Sequence, residues 1–465
     1  YGYTKPIADF EGDFIEIEEA HAHYTLKVQK GRKVVSLHQG TMQEKETSFF
    51  MKKPFTGTLY TLTTRLGYEV KVTGEHPILT PQGMQETQHL TKGEKVAVHP
   101  FEGIPYEKPS HTVLVTEEPF SPQQQKALSS LLPLTLDHEK LPLLLKLYGY
   151  LLGDGSIYFT GNKGYVNAYG SKEDLESIQE DLKKLGFSAK MYSRERNHSI
   201  PTRYKTIHFT NIAYELHCPS KSLAKLFFIL GYPQGNKTNI PFNIPNWIMD
   251  SPLWMKRLFL AGFFGAELSK PRTHTKTGFD VPTISMNKTT RIKESGRSFL
   301  IQIIQLLEEF GVKSHSLNET EDFHNQSGPT TRLRLFISSQ ENNLQKLYSK
   351  IGFEYNKKRS WLAKCAIMYS KEKQDLTQKR EEIASKVKEY KLKGLRLKEV
   401  QKLLVTPFAN ERFIERCYYE YASQRIPLSF PSFNDFVDAR GEVYFDTIEN
   451  ITREHYQGEV FDFTV

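Results

Sequence analysis

The feature that most constrains the fold of this 465-residue chain is an internal repeat. LAKLFFILGYPQGNK, residues 223–237, aligns without gaps on LQKLYSKIGFEYNKK, residues 344–358. Upstream, residues 180–190 resemble residues 305–315, and the pattern of each stretch predicts an amphipathic helix that runs into a glycine. Two copies of one structural unit predict two related halves about an internal pseudo-twofold axis.

An apolar segment with a carboxylate near its end opens each half. LYGYLLGDG, residues 147–155, contains Asp154, and LFLAGFFGAEL, residues 258–268, contains Glu267. Small residues recur four positions apart in both segments: Gly149 and Gly153 in the first, Gly262 and Ala266 in the second. On a helix this spacing places them on one face, where they let two backbones approach closely. We expect the two helices to pack at the axis with Asp154 and Glu267 side by side. The alternative is two ordinary buried helices whose last acid lies at the surface.

Paired acids at two helix C-termini predict a metal site. The two carboxylates repel each other and oppose the helix dipoles, and a divalent cation would neutralise them. Mg²⁺, with Mn²⁺ as a substitute, takes a few carboxylate oxygens and keeps water and phosphate as its other ligands. Such a site favours metal-assisted phosphodiester hydrolysis, with water attacking in line. Lys237 and Lys358, at matching repeat positions, are candidates to stabilise the developing charge or orient the water. The alternative is that both lysines are solvated.

Alternating apolar and polar residues predict strands at both ends of the chain. TLYTLTTRLGYEVKVTGEHPILT, residues 58–80, alternates in this way and turns at residues 65–68. VYFDTIENITREHYQGEVFDFTV, residues 443–465, alternates similarly. We therefore expect one β domain with the middle of the chain inserted into it. The predicted ranges are a β part at 1–115, a linker at 116–140, a repeated unit at 141–365 with halves 141–250 and 251–365, a basic helical subdomain at 366–436 and a second β part at 437–465.

The basic charge is concentrated in one region. The net charge is +8, and residues 350–402 hold 16 Lys and Arg against 7 Asp and Glu, a local net of +9. Such a patch favours a polyanion partner, most simply double-stranded DNA. Gly394, residues 395–404 and a turn at 406–407 give helix-turn-helix spacing, with a recognition helix at about 409–423. The residues expected to contact phosphates are Lys386, Lys388, Lys391, Lys393, Arg396 and Lys398. A basic helical spacer is the alternative.

Several classes of protein are disfavoured by the composition. No run approaches eighteen apolar residues, so we expect no membrane partner. The opening YGYTKPIADF is not a signal peptide. Three widely spaced cysteines indicate neither a disulfide framework nor a zinc site, which favours the reducing cytoplasm. With both halves in one chain, we expect a monomer.

The paired segments LYGYLLGDG and LAGFFGAEL resemble the LAGLIDADG motifs of monomeric homing endonucleases. The resemblance covers about residues 145–365, and the acids of the family motif fall on Asp154 and Glu267. It implies a pseudo-symmetric α+β fold, αββαββα twice, that lays strands in the DNA major groove. It also implies Mg²⁺-dependent double-strand cleavage at a long asymmetric site. Leu268 stands where the second motif would close with glycine.

Thr73 and His76 form a second candidate site. A histidine can protonate a leaving amide nitrogen, and a threonine three residues earlier can hold the same peptide. GYEVKVTGEHPILTP resembles the TxxH block of archaeal-type inteins, and GEVFDFTV resembles a C-terminal intein block whose aspartate falls on Asp462. This resemblance implies an all-β, horseshoe-shaped Hint domain, split by the endonuclease, that splices itself out of host segments, the exteins. The first residue, Tyr1, is not the Cys or Ser nucleophile of inteins, and the last, Val465, is not preceded by their terminal His-Asn pair. We expect these residues in flanking sequence, and the alternative is a remnant that no longer splices.

The sequence thus predicts a multi-domain protein: an all-β Hint domain split by a pseudo-symmetric α+β LAGLIDADG endonuclease and a small helical DNA-binding subdomain. Two alternatives stay open. One is a splicing element whose endonuclease has decayed to a non-cleaving DNA-binding domain. The other is a regulator of the same fold that binds DNA or RNA.

Overall fold

The chain forms two compact units. The computed structural model describes residues 1–13, 16–21, 24–28, 33–38, 41–201, 206–325, 328–420, 426–439, 441 and 443–464. The central unit comprises Tyr1–Thr4 and Phe101–Ala366, and the outer unit comprises Lys5–Pro100 and Ile367–Val465. Within the described ranges, the longest apolar helices fall short of the length and hydropathy of a membrane span.

The outer unit is built on two long strands. Its strands are β2 (Glu16–His21), β3 (Tyr24–Val28), β4 (Lys33–His38), β5 (Thr41–Glu46), β6 (Phe49–Thr64), β7 (Glu69–Thr73), β8 (Pro77–Thr80), β9 (Gly83–Glu86), β10 (Lys95–Val98) and β21 (Tyr444–Thr464). The main sheet has the order β10-β21-β6-β3-β2, with β7 also paired to β6. Strands β6 and β21 run antiparallel from Phe49↔Thr464 to Thr64↔Ile448. The two β-rich ends of the sequence therefore form one sheet, as predicted.

Local chemistry explains the hairpin that carries the Thr73–His76 turn. Gly67 takes a φ of +81°, and the Thr64 amide donates to the Tyr68 carbonyl at 2.8 Å, which closes the β6–β7 turn. Leu62, Leu90, Val96 and Ile448 form a buried core beneath it. The predicted turn at residues 65–68 is confirmed.

Three helices in the outer unit enclose a separate small core. They are the later part of α9 (Lys357–Leu392), α10 (Leu397–Leu404) and α11 (Glu411–Tyr418). A further helix, α12 (Phe433–Asp438), packs Phe433 and Phe436 against Tyr369 of α9. Gly394 follows α9 with a φ of +84°, and Asn410 caps α11 by accepting from the Phe413 amide. The buried cluster consists of Ile383, Val387, Val400, Leu404, Ala409, Phe413, Ile414 and Cys417. The predicted helix-turn-helix spacing is present. Residues 421–423 of the predicted recognition helix lie outside the described residues.

The central unit contains the two related halves. Its strands are β1 (Tyr3–Thr4), β11 (Ile104–Pro105), β12 (Val113–Val115), β13 (Leu134–Thr135), β14 (Gly155–Thr160), β15 (Lys163–Gly170), β16 (Lys190–Pro201), β17 (Thr206–Cys218), β18 (Thr283–Thr289), β19 (Ser314–Asn325) and β20 (Gly328–Ile337). Its helices are α1 (Pro122–Ala127), α2 (Leu141–Asp154), α3 (Lys172–Lys184), α4 (Lys221–Ile229), α5 (Asn246–Met249), α6 (Leu253–Glu267), α7 (Lys293–Glu309), α8 (Glu341–Lys346) and the first part of α9. The two half-sheets have the orders β14-β15-β17-β16 and β18-β20-β19.

The first half follows the predicted αββαββα order, whereas the second half departs from it. Between α6 and α7 there is one strand, β18, in place of two. Residues 269–282 form an irregular hairpin with a single isolated bridge, Thr273↔Phe279. Pro271 and Pro282 bracket this loop, and proline has no amide hydrogen for a regular ladder. The glycine turns still match: Gly231 and Gly352 both take positive φ values, +97° and +66°.

Two predicted boundaries need correction. Tyr1–Thr4 and residues 101–115 belong to the central unit, although the sequence placed residues 1–115 in the β domain. Residues 116–140 are not a linker, because Leu128, Leu131 and Leu134 there have no exposed surface. The Pro-, Ser- and Gln-rich stretch instead forms a helix start, in which Ser121 and Gln124 make a capping box around α1.

Helices α2 and α6 pack with their backbones in contact. A Cβ placed on Gly149 would lie 2.1 Å from the Phe259 carbonyl oxygen, and one on Gly262 would lie 2.3 Å from the Lys146 carbonyl oxygen. Only glycine fits at these two positions. The small residues therefore do what their spacing predicted, and the two helices cross at the middle of the central unit.

The close contact between α2 and α6 predicts that one added methyl group at Gly149 destabilises the central unit. In an open helix position, replacing glycine with alanine is stabilising. Gly149→Ala is expected instead to lower the free energy of unfolding by at least about 2 kcal/mol, because the methyl meets backbone that cannot rotate away. Trp247, Trp254 and Trp361 all lie in the central unit, so tryptophan fluorescence during urea unfolding measures that unit.

The matched control is Gly441→Ala, whose Cβ would meet open space in the outer unit. It should leave the tryptophan transition unchanged. An unchanged or higher transition midpoint for Gly149→Ala would contradict the close helix contact.

Candidate functional site

The C-terminal ends of α2 and α6 bring two carboxylates together. Asp154 is the last residue of α2 and Glu267 the last of α6. A Cβ placed on Gly153 would lie 2.4 Å from Ala266 Cβ and 3.2 Å from Glu267 Oε1. The helix ends therefore meet, and the two acids share one site at their junction.

Lys237 closes the end of α2. Its Nζ lies 2.6–3.0 Å from the carbonyl oxygens of four residues, Leu151, Leu152, Gly153 and Gly155, which share its three N–H donors. The last carbonyls of a helix carry partial negative charge and have no partners within the helix, so an ammonium group there satisfies both needs. Lys237 is thus brought to the carboxylates, as predicted, and also holds the helix that carries Asp154.

Arg359, not Lys358, occupies the equivalent position on α6. Its Nη1 donates to the carbonyls of Phe264, Gly265 and Ala266 at 2.8–3.1 Å. The Lys358 side chain is exposed to solvent. The sequence placed Lys358 opposite Lys237 because the repeat aligns there without gaps. However, Lys237 follows a loop, whereas α9 already begins at Lys357. Arg359 is one residue away from the position that the repeat aligns with Lys237, and a cation at that distance is the sequence signal for it.

Burial shifts the pKa values of the charged groups at this site. It raises the pKa of Glu267 to about 7, and the neighbouring Asp154 acts in the same direction, while Lys237 and Arg359 oppose it. Burial also raises the pKa of Asp154, and Lys237 and Arg359 again act in the opposite direction. The pKa of Lys237 is lowered to about 8, because loss of solvent outweighs the attraction of both acids. Loss of solvent is thus the largest cause of all three shifts.

This donor set fits a magnesium ion. Mg²⁺ is held by one or two carboxylates and keeps waters and substrate phosphate as its other ligands. Asp154 and Glu267 offer such a pair at the junction of the two helix ends. In the part of the chain that the structure describes, no group of three or more His, Cys, Asp or Glu side chains is placed to hold a metal, so at this site the protein would supply two carboxylates only.

Each half-sheet presents one polar face. In the first half, a groove of about 970 Å³ is lined by Tyr192, Arg194, Arg196, Asn211 and Glu215, among others. Cross-strand pairs such as Arg196↔Asn211 place these side chains on the same face. In the second half, Arg332 is paired with Asn287, and Arg334 with Ser285. The opposite faces carry buried residues such as Ile157 and Leu335. Arginine and asparagine in such rows suit hydrogen bonding to base edges and phosphates.

A second candidate site lies in the outer unit. His76 Nδ1 lies 3.9 Å from Asp462 Oδ2, so the structure brings these two predicted residues together. Thr73 ends β7, and its carbonyl accepts from the His76 amide at 3.2 Å, which makes the TxxH segment a tight turn. Thr87 was missed by the sequence: its amide and hydroxyl both donate to the His76 carbonyl, at 3.0 and 2.8 Å. The arrangement offers an imidazole whose backbone is fixed by a buried threonine and whose ring lies near a carboxylate.

The predicted phosphate-contacting residues cluster around the turn between α9 and α10. Lys386, Lys388, Lys393, Arg396 and Lys398 are exposed, and Lys391 is half-buried beside Glu420 at 3.5 Å. Lys393 pairs with Glu389 on the same helix. Helix α11 itself carries two glutamates and two arginines, ERFIERCY, so it is electrically neutral. The positive charge therefore lies on the α9–α10 turn and not on the predicted recognition helix.

A family model described as the intein splicing domain matches residues 5–465. Among curated proteins, the chain is 33% identical over 449 residues to a tRNA-splicing ligase RtcB of Pyrococcus furiosus, covering 94% of this chain and 44% of that protein. It is 29% identical over 327 residues to the DNA-directed RNA polymerase subunit Rpo1N of Methanocaldococcus jannaschii, covering 67% of this chain and 24% of that subunit. The chain thus spans less than half the length of these relatives.

Among solved structures, the homing endonuclease I-WcaI bound to its DNA recognition sequence aligns with 49% of this chain and 88% of its own. The identity is 13% and the TM-score is 0.30. A TM-score this low does not establish a shared fold.

The raised pKa of Glu267 predicts a pH-dependent stability. Glutamate ordinarily titrates near 4.5, so the folded state binds more protons than the unfolded state between about pH 4.5 and 7. The contribution of Glu267 is therefore fully present below pH 4.5 and is lost as pH rises through 7. Relative to Glu267→Gln, the metal-free wild type should lose on the order of 2 kcal/mol of unfolding free energy between pH 5 and 8.

Urea unfolding with EDTA, followed by tryptophan fluorescence, measures this difference at each pH. Glu308→Gln removes an exposed carboxylate of the same unit and should follow the wild type throughout. Parallel pH profiles for the wild type and Glu267→Gln would refute the raised pKa.

Proposed function

The chain belongs to the intein splicing domain family, and from this premise we propose that it is an intein whose central unit is a site-specific DNA endonuclease. The outer unit then performs protein splicing, and the central unit cuts DNA. The observation that carries the endonuclease proposal is the pair of acids, Asp154 and Glu267, at the junction of two helices in backbone contact.

The splicing role rests on the Thr73–His76 turn. His76 is positioned through its carbonyl by Thr87, and Asp462 lies within 3.9 Å of its ring. The His76 imidazole would protonate the leaving amide nitrogen when the peptide bond at the N-terminal junction is broken. Thr73, at the start of the same turn, holds that peptide.

The endonuclease role assigns a task to each residue at the helix junction. Asp154 and Glu267 would hold Mg²⁺, which when bound polarises a phosphodiester and lowers the pKa of a coordinated water. Lys237 and Arg359 hold the two helix ends in place and would stabilise the negative charge that develops on the phosphate. Lys358, being exposed, is assigned to DNA contact and not to the reaction.

Double-stranded DNA is the proposed substrate. Each half-sheet has a polar face with arginines in cross-strand rows, and two such faces in one chain suit a long, asymmetric target. The six basic residues around the α9–α10 turn add phosphate contacts outside the central unit. A monomer suffices, because one chain supplies both halves.

The names of the relatives bear on the host protein. A ligase and a polymerase subunit share no activity by name, yet both contain a region similar to this chain. The shared region is therefore better explained as an inserted element than as part of either activity. We propose that the host of this intein is a tRNA-splicing ligase, since that relative matches 94% of the chain.

Leu268 gave the sequence-level reason to expect a decayed endonuclease. Its backbone is extended, with φ −73° and ψ 134°, a conformation open to any residue. Its side chain has no exposed surface. No glycine is required at this position, so Leu268 does not favour decay. A non-cleaving regulator remains the alternative outcome of the test below.

Asp154→Asn is the variant that tests cleavage. The substrate is a supercoiled plasmid carrying an uninterrupted tRNA-splicing ligase gene of the host. With Mg²⁺ the wild type should linearise this plasmid, and Asp154→Asn should be slower by more than about a hundredfold, because one of two metal ligands loses its charge. Gel mobility shift should show similar DNA binding for both proteins.

Glu308→Gln is the control and should cleave like the wild type. Sequence-specific binding without nicking by the wild type, in either Mg²⁺ or Mn²⁺, would overturn the endonuclease and favour the regulator.

His76→Ala is the variant that tests splicing. The complete intein, expressed between its host segments, should join those segments and release itself. His76→Ala should accumulate unspliced precursor, with splicing slowed about 100-fold or more, because the leaving amide loses its proton donor. His89→Ala replaces an exposed histidine of the same unit and should splice normally. Normal splicing by His76→Ala would refute the assignment.

A further inference from the structure

Lys288 is a buried lysine that the proposed reaction does not use. It lies in β18, and its alternating neighbours on the core side are Ile284 and Met286. Lys288 is 1% exposed, and its side chain packs against Gly296 of α7. An apolar residue at this position of β18 would avoid the free-energy cost of removing an ammonium group from water. Its presence therefore calls for partners that compensate it.

Those partners belong to the loop that carries Lys237. Lys288 Nζ donates to the Lys237 carbonyl at 2.6 Å and to the Ile240 carbonyl at 2.9 Å. It also lies 3.9 Å from the centre of the Phe242 ring. Next along β18, the Thr289 amide donates to the Thr238 carbonyl at 2.9 Å. A strand of the second half thus binds the backbone of a first-half loop.

We propose that Lys288 is a positioning residue that holds the backbone of Lys237 so that the Lys237 ammonium reaches the end of α2. Hydrogen bonds from one buried group fix two carbonyls of the loop that carries Lys237. Through Lys237, the second half then sets the geometry of the Asp154 side of the site. Lys288 itself does not contact the acids.

The first arm of the test measures the loop directly and needs no activity. In metal-free full-length protein, hydrogen exchange of a peptide covering residues 236–242 is compared between wild type, Lys288→Met and Lys256→Met. Methionine keeps the length and apolar packing of the lysine stem but cannot donate. Exchange should be about tenfold faster in Lys288→Met, corresponding to loss of these charge-assisted bonds.

Lys256→Met is the matched control, because Lys256 is also buried in the second half but pairs with Glu309. It should leave exchange in residues 236–242 unchanged. Lys288→Gln keeps one donor at this place and should be intermediate, which preserves the test if Lys288→Met does not fold. Equal exchange in the wild type and both Lys288 variants would overturn the inference.

The second arm rests on the proposed endonuclease function. On the supercoiled plasmid, Lys288→Met should accumulate nicked circle about tenfold over the wild type, because the Asp154 side is disturbed more than the Glu267 side. The DNA dissociation constant should not change. If Lys288→Met slows cleavage of both DNA strands equally, Lys288 has a purely structural role and the inference is overturned. If the wild type does not cleave, the proposed function fails, and the exchange experiment still decides the role of Lys288.

Discussion

The backbone contact between α2 and α6 is the constraint on which the central unit depends. Gly149 and Gly262 have no room for a Cβ, since a Cβ built on either would lie little more than 2 Å from a carbonyl oxygen of the other helix. Side chains therefore cannot separate the helices at their crossing. Both helices are 14 or 15 residues long and end close to each other, so Asp154 and Glu267 meet. The packing geometry, rather than any attraction, brings like charges together.

Four sources of negative charge lie close together at this helix junction. Two carboxylates and two helix C-termini converge, and the Lys237 ammonium and the Arg359 guanidinium lie within hydrogen-bond distance of four and three carbonyls respectively. These cations hold the helix ends, while burial and the neighbouring Asp154 keep the pKa of Glu267 at about 7. Glu267 therefore releases its proton close to neutral pH, and a cation bound between the two acids would lower its pKa.

Features set by local pattern could be predicted from the sequence, and features set by tertiary contacts could not. Period-two alternation gave the β6–β7 hairpin and the terminal strand, and residue spacing gave the helix contact and the two acids. The sequence prediction missed Arg359 because the repeat aligns Lys237 with Lys358. In the structure, the cation that contacts the end of α6 is one position later, in helix α9. Residues 116–140 have the composition of a linker, but buried leucines such as Leu128 override it. Pro271 and Pro282 explain why a strand is missing before β18. The similarity between the two repeats did not reveal this difference.

The outer unit shows how an insertion is compatible with one continuous sheet. β6 and β21 pair along their whole length although some 380 residues separate the turn at Leu66 from Asp446, whose carboxylate accepts the Leu66 amide at 2.8 Å. Loop closure over such a separation carries an entropy that grows only logarithmically with length. A large, independently packed insert therefore adds little to the closure term, and pairing of the long strands can offset it. Because Asp462 lies on β21 and His76 on the β7–β8 turn, this pairing also brings together two residues of the candidate site in the outer unit, which cannot meet until the last strand has joined the sheet.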